Sequence, residues 1–285
     1  MRVFVAGGSG AVGQRLVPAM VARGHQVTAT TTRVAKTKLV EQMGAAAVVV
    51  SGLEPAAMAD AVARAYPDAI VHLMSALGGQ PPDLRHMDRW FAATNRLRTD
   101  GTDYLLAAAV AAGITRVVAQ SYASWNGIRQ GGWVKTEKDP LDLCVGTAAH
   151  ATMEAVRHLE DAVAGAGGTV VRYGGLYGPR AAQHERAMVK AQRFPLVGSG
   201  AGHTSWVHVD GAAAATVRAV ERSVPGVFNI VDDDPAPARE WLPHLAACLG
   251  VPPPMRVPAG VARPPCSTCK AIADTTARPS QPARG

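Results

Sequence analysis

Residues 2–13, RVFVAGGSGAVG, carry an apolar, β-branched strand straight into a loop with glycine at 7, 8, 10 and 13, and a helical stretch follows over 11–23. Two spacings coexist there: Gly7, Gly10 and Gly13 form GxxGxxG, while Gly8, Gly10 and Gly13 form GxGxxG. Either pattern alone is weak. Between a strand and a helix it gains meaning, because residues without Cβ let the backbone approach a diphosphate that the free amides of the helix N-terminus hold. The competing reading is a tight turn that binds nothing. The loop restricts the chain to folds that begin strand, loop, helix, and it marks Gly7, Gly10, Ala11, Val12 and Gly13 as dinucleotide contacts.

The same unit then repeats. Apolar runs QVTATTT, AAVVV, AIVHLMSA, TRVVAQS and TVVRYGG alternate with alanine-rich helical stretches at 34–43, 55–65, 84–112 and 147–164. Strands apolar at every position, instead of every second one, belong to a parallel sheet covered by helices on both faces. A Rossmann-type, doubly wound α/β fold is therefore expected over 1–175. Beyond it the segments shorten around LYGP, RFPLVGSG and VDDDPAP, which predicts a smaller C-terminal substrate lobe over 176–258, able to share elements with the sheet. Residues 259–285 have no periodicity and are rich in Pro, Ala, Arg, Ser and Thr, the composition of a flexible tail.

Composition removes several classes. With 285 residues, 48% of them apolar, the chain can bury a large core, which excludes collagen-like, disordered and disulfide-scaffold architectures. No run of 18 apolar residues occurs and MRVFVAG leads directly into the loop, so a cytoplasmic protein without membrane contact is expected. The formal charge of +7 invites a nucleic-acid reading. Yet Arg263, Lys270, Arg278 and Arg284 stand against Asp274 alone in the last 27 residues, and only 5% of the chain is aromatic, so no base-stacking surface is expected. Cys144 and Cys248 are expected to be buried thiols. Cys266 and Cys269 form a CxxC without two further ligands at a recognisable spacing, so no metal is predicted. The partner expected is a small-molecule substrate; a homodimer is left open.

The second strand addresses which dinucleotide is held. A site for NAD places Asp or Glu at that strand's end to accept hydrogen bonds from the adenosine ribose. Here no acid precedes Glu41, and the strand ends TATTTR with Arg33, Lys36 and Lys38 following. A guanidinium among hydroxyls, with no carboxylate to repel the ligand, suits a 2′-phosphate, so NADP is expected in preference to NAD. The alternative is that Arg33 and Lys36 are only a solvated helix start.

Across residues 1 to 255 the chain resembles the extended short-chain dehydrogenase/reductases, the NAD-dependent epimerase/dehydratase group. The resemblance is carried by GGSGAVG at 7–13, VHLMSA at 71–76, GTDYLLAAAVAAGITRVVAQS at 101–121, VVRYGGLYGP at 170–179, WVHVDGAA at 206–213 and FNIVDDD at 228–234. It implies coenzyme contacts at Leu73 and Ser75, where VHLMSA leaves the fourth strand, and a Tyr-x-x-x-Lys pair after the fifth. The matching region reads VGTAAHATMEAVRHLE; with Glu154 at the family's glutamate position, the lysine position holds His150 and the tyrosine position Gly146. In the family the tyrosine exchanges a proton with the substrate while hydride moves, and the lysine lowers its pKa and holds the ribose. Glycine offers no acid. His150 can take over part of the ribose contact, or simply pair with Glu154 on the surface.

Five hydroxyls are candidate proton donors: Ser121, Tyr122 and Ser124 after the fifth strand, and Tyr173 and Tyr177 after the sixth, the last two expected to face the nicotinamide end of the cleft. His72 reads as a hydrogen-bonded core residue, Asp210 as the cap of the alanine helix after it, and Asp232, Asp233 and Asp234 as a solvated turn. Three functions fit: an NADP-dependent oxidoreductase or epimerase-like enzyme on a carbonyl or sugar-like substrate with an unorthodox acid; a non-catalytic NADP(H) sensor; or a non-redox cyclase or lyase beside a structural nucleotide.

Overall fold

The computed structural model describes residues 1–77, 87–123, 134–141 and 149–258. Six apolar runs form strands where the sequence places them: β1 (Arg2–Ala6), β2 (Gln26–Thr31), β3 (Ala46–Val49), β4 (Ala69–His72), β5 (Val117–Tyr122) and β6 (Thr169–Tyr173). Between them lie α1 (Gly13–Ala22), α2 (Thr37–Gln42), α3 (Pro55–Ala65), α4 (Met87–Arg98), α5 (Asp100–Ala111) and α6 (His150–Gly165). The stretch read as one helix over 84–112 is two, α4 and α5, divided at Thr99, whose backbone leaves the helical region at φ −93° and ψ −88°.

The chain continues through β7 (Gly175–Tyr177), α7 (Gln183–Lys190), β8 (Leu196–Val197), β9 (Trp206–His208), α8 (Val209–Arg222), β10 (Gly226–Ile230), α9 (Ala238–Cys248) and β11 (Arg256–Val257). Among the described residues the main sheet has seven strands in the order β3-β2-β1-β4-β5-β6-β10, every pairing parallel. Strand order reverses between β1 and β4, and in such sheets the crevice at the carboxyl ends of these strands is the ligand site.

Alternation along each strand feeds two cores. Val3 and Val5 pack with Leu16, Val17 and Met20 of α1 and with Ala213, Val217 and Val220 of α8. Phe4 and Ala6 turn the other way, into Met58 and Val62 of α3 and Leu105 and Ala109 of α5. Both faces are covered, which is why the strands are continuously apolar.

The change of rhythm at residue 175 is not a boundary in the sheet. β10 pairs with β6 from Gly226↔Thr169 to Ile230↔Tyr173, and α8 packs on the face that α1 covers. What remains apart is a small cluster of Val189, Leu196, Leu242 and Ala246 with Phe194 and Trp241, built from α7, β8 and α9. The tail at 259–285 lies outside the described residues.

Candidate active site

At the end of β1 the chain turns at Gly7, φ +92°, a conformation few side chains tolerate, and a Cβ there would sit 2.7 Å from the Leu73 carbonyl oxygen. Gly13 is equally constrained, since its Cβ would run into the Gly8 carbonyl. Gly10 differs: an added Cβ would meet only Gly7 O, at 3.3 Å, on an exposed face of the loop. The loop is pinned from behind by the Gly7 amide donating to Thr30 Oγ1 at 2.9 Å and Ser9 Oγ donating to Thr31 Oγ1 at 3.1 Å. α1 starts beside it with no side chain capping its N-terminus and no acid in its first turn. A cradle closed by its own packing except at Gly10, against an uncapped helix start, fits a dinucleotide diphosphate. Ala11 and Val12 bring their backbone to that start, the Val12 side chain being buried.

β2 ends at Thr31, and Arg33 and Lys36 flank a short 3-10 turn with Arg33 exposed. On the other side of the loop, Leu73 donates its amide to Ala6 O and is buried, while the next residues open into a small cleft. Met74, Ser75, Leu77, Thr94, Arg98, Gln120, Ser121 and Leu159 line it.

Under the cleft floor lies a buried polar network. Arg172 on β6 donates from Nε to Glu160 Oε1 at 2.8 Å and from Nη2 to Oε2 at 2.5 Å, and Ser121 Oγ donates to Glu160 Oε1 at 2.5 Å. Glu160 thereby has both oxygens occupied. Arg98 at the end of α4 lies near it, makes one long hydrogen bond to Asn95 Oδ1 at 3.4 Å, and rests 5.6 Å from the Phe91 ring centre. No ion pair to Arg98 exists among the described residues. Burial pulls its pKa down to about 10, against the opposing pull of Tyr122 and Glu160. Sequence reading missed this network, although a charge inside the apolar run TVVRYGG, and Glu160 at helical spacing from Val156 and Val163, both signal inward-facing ions.

Among the described residues the proton-donor candidates do not converge. Tyr173 is corrected: it is 2% exposed within the core under α8, its hydroxyl paired with Thr216 Oγ1, and burial drives its pKa up. The alternation of β6 sends Arg172 to one face and Tyr173 to the other. Tyr177 is 40% exposed, stacked edge-on against His208, with its pKa raised by burial and by Asp232. Ser121 lines the cleft, but its proton goes to Glu160. Tyr122 ends β5, next to Tyr173 in the sheet register. Ser124 and Gly146 lie outside the described residues. His150 opens α6 on an exposed position, and the Glu154 carboxylate accepts from Arg157 at 2.6 Å. None of the five tyrosines, at 66, 104, 122, 173 and 177, is followed four residues later by lysine.

His72 is the core residue expected. It is 1% exposed, with Nε2 3.1 Å from Thr102 Oγ1 and Nδ1 accepting from the Met74 amide at 3.2 Å, and burial lowers its pKa to about 4. Three other expectations need correction. The α8 cap is His208, whose ring accepts from the Asp210 amide at 3.2 Å; Asp210 sits one turn-position inside and binds Arg15. Asp233 and Asp234 are solvated, but Asp232 is partly buried and accepts from the His208 amide at 3.4 Å. Cys248 is exposed, 3.6 Å from His244 Nε2, because it falls on the outer face of α9; Cys144, Cys266 and Cys269 lie outside the described residues. No helix among the described residues is long and apolar enough to cross a membrane.

Fold and cradle together define an α/β protein of the dinucleotide-binding type. Residues 3–231 match the model of the NAD dependent epimerase/dehydratase family, and the chain belongs to that family. It is similar, at 42% identity over 274 residues covering 92% of this chain and 86% of the relative, to a 3-diazoavenalumate denitrifying reductase from a Streptomyces species. A 2-alkyl-3-oxoalkanoate reductase of Stenotrophomonas maltophilia is 28% identical over 269 residues, 88% of this chain and 77% of that one. Among solved structures, the UDP-glucose 4-epimerase of Thermus thermophilus in complex with NAD aligns with a TM-score of 0.70 at 22% identity, over 100% of this chain and 95% of that one. The UDP-glucose 4-epimerase of Thermotoga maritima with UDP-glucose aligns at 0.73 and 18% identity, over 99% and 89%. These likenesses support the fold; with the family and the named reductases, they make the chain an NAD(P)-dependent enzyme of the oxidoreductase type.

Proposed function

We propose that this chain is an NADPH-dependent reductase of a small organic electrophile that takes up hydride without a tyrosine proton donor, an aromatic diazo compound being the substrate class that fits best. The observation that carries the reading is the pairing of an open diphosphate cradle at Gly10 with a chain in which no tyrosine precedes lysine by four residues. Carbonyl reduction needs a proton as well as hydride, and that is the role the family gives to its tyrosine. The reduced coenzyme, when bound, supplies hydride; an aromatic diazonium that takes it forms a C–H bond while the C–N pair leaves with dinitrogen, so atoms and charge balance with no proton. The Streptomyces relative, named for a diazo compound and for denitrifying reduction, favours the same class.

This chain's own residues then have limited tasks. Gly7 and Gly13 shape the loop, Gly10 leaves room for the diphosphate, and the amides of Ala11 and Val12 face it. Arg33 and Lys36, with no acid before Glu41, take the 2′-phosphate of NADP. Ser75 and Leu73 would border the nicotinamide end, and His150 at the start of α6 would meet the ribose. Met74, Leu77 and Leu159 give the cleft apolar walls that exclude water.

The test is titration with NADPH and NADH, followed by stopped-flow absorbance of NADPH oxidation with an aromatic diazo acid and with an aromatic ketone. Turnover of the diazo compound, unchanged to within about threefold in Tyr122→Phe, is expected, a loss below 1 kcal/mol of transition-state stabilisation. Reduction of the ketone alone, abolished in Tyr122→Phe, would replace this reading with tyrosine-assisted carbonyl reduction.

A further inference from the structure

The cleft contains a cation, Arg98, with no ion-pair partner among the described residues. Arg98 and Arg172 both lie near Glu160, but Glu160 gives one oxygen to Arg172 Nε and Ser121 Oγ and the other to Arg172 Nη2. Glu160 is thus hydrogen-bonded by Arg172 and Ser121, whereas Arg98, although Glu160 supports its charge through space, has no ion-pair partner among the described residues. Around Arg98 the described residues supply one amide oxygen at 3.4 Å and an aromatic face at 5.6 Å, with no carboxylate in ion-pair reach. A guanidinium has five donors, so an acceptor that enters the cleft can reach those Arg98 does not use. Arg98 lines the cleft together with Ser75, Gln120 and the apolar side chains of Met74, Leu77 and Leu159. A cation on one wall and apolar walls around it are complementary to an organic acid with an apolar body.

We infer that Arg98 is the anion-recognising residue of this cleft, and that the molecule bound there carries a carboxylate held by the Arg98 guanidinium. The inference rests on the proposed function in taking this cleft as the reducing site, but carboxylate recognition does not depend on turnover. Arg98 pairs with the substrate carboxylate through a forked hydrogen-bond pair, a geometry lysine cannot reproduce. The apolar body lies along Met74, Leu77 and Leu159.

Calorimetry with cinnamate and with its neutral isostere cinnamamide tests it, with and without NADPH, on the wild-type chain and on Arg98→Met and Arg98→Lys. Wild type is expected to bind the acid at least about 10-fold more tightly than the amide. Arg98→Met should bring that ratio to about 1 and Arg98→Lys to an intermediate value, while NADPH affinity and the thermal midpoint stay unchanged. Retention of the ratio in Arg98→Met, or no preference or no binding of either compound by wild type, would overturn the assignment. An NADPH affinity that falls in Arg98→Met while the ratio persists would overturn it too, moving Arg98 to the coenzyme. Should wild type keep the Arg98-dependent ratio but bind no NADPH, the assignment stands and the reductase reading fails.

Discussion

The glycine loop and the cleft around Arg98 meet at the end of β4, where the Leu73 carbonyl presses on Gly7 and Met74 and Ser75 line the cleft. They are built in opposite ways. The loop is largely backbone against backbone: Gly7 and Gly13 are required by carbonyls within a few ångströms, and the side chains of Ser9, Thr30 and Thr31 only pin it from behind. The cleft is side chain against side chain, with ions from α4, α6 and β6 that come together only when the sheet forms. Binding a diphosphate needs only free amides, so every fold of this class can reuse one loop. Recognising a substrate needs particular groups at particular places, and those are drawn from whatever elements the sheet brings near.

That contrast can be broken most severely at Gly7. Gly7→Val puts a branched side chain at φ +92° with its Cβ against the Leu73 carbonyl, and a loss of about 4 kcal/mol or more in a denaturant titration is expected. Gly10→Ala should leave stability within about 0.5 kcal/mol and weaken NADPH binding by about 10-fold, because the space its methyl takes is the ligand's. Equal destabilisation by the two would mean that the loop has no opening.

At the other end, Glu160→Gln removes the carboxylate that Arg172 pairs with in the core, where side-chain exposures are 6% for Arg172 and 5% for Glu160. Loss of about 3 kcal/mol is expected in the same titration. A neutral result would mean that water reaches the network.

His72 yields a smaller, pH-dependent effect. Its folded pKa of about 4 is below the ordinary value of 6.5, so between these values the unfolded chain holds a proton that the folded chain refuses. Its contribution is present in full above pH 6.5 and is lost as pH falls towards 4, by about 3 kcal/mol in all. Unfolding midpoints of wild type and His72→Gln should therefore converge as the pH drops through that window, and parallel curves would refute a buried neutral imidazole.

The smallest effect is expected at the adenosine end. Arg33→Ala should leave the fold intact and reduce preference for NADPH over NADH by about 10-fold, roughly 1.4 kcal/mol by calorimetry. A chain that prefers NADH from the outset would assign Arg33 and Lys36 to a solvated turn.

The same contrast explains what could be read from the letters. Glycine spacing, apolar strands and the absence of an early acid are local signals, so the loop, six of the seven strands and the covering of both sheet faces by helices were legible. β10 was not, because a five-residue strand after a change of rhythm looks like part of a lobe until it pairs with β6. Tyr173 was misplaced because chain order puts it at the end of a strand, while only the alternation begun at Arg172 tells which face it takes. The Asp210 cap failed by two residues, since a histidine ring nitrogen can accept a helix amide as a carboxylate does. Arg98 was invisible because a cation without an ion-pair partner among the described residues shows itself only once the nearby helices and strands are brought together.

The central claim is that hydride reaches the substrate in this cleft directly, without a tyrosine acid. It is tested most directly by reducing an aromatic diazo acid with NADPH deuterated at nicotinamide C4, in ordinary water, and examining the product by mass spectrometry and NMR. Deuterium at the ring carbon that lost nitrogen, in wild type and Tyr122→Phe alike, is the predicted result. Solvent hydrogen at that carbon, or no product while NADPH stays bound, would contradict it.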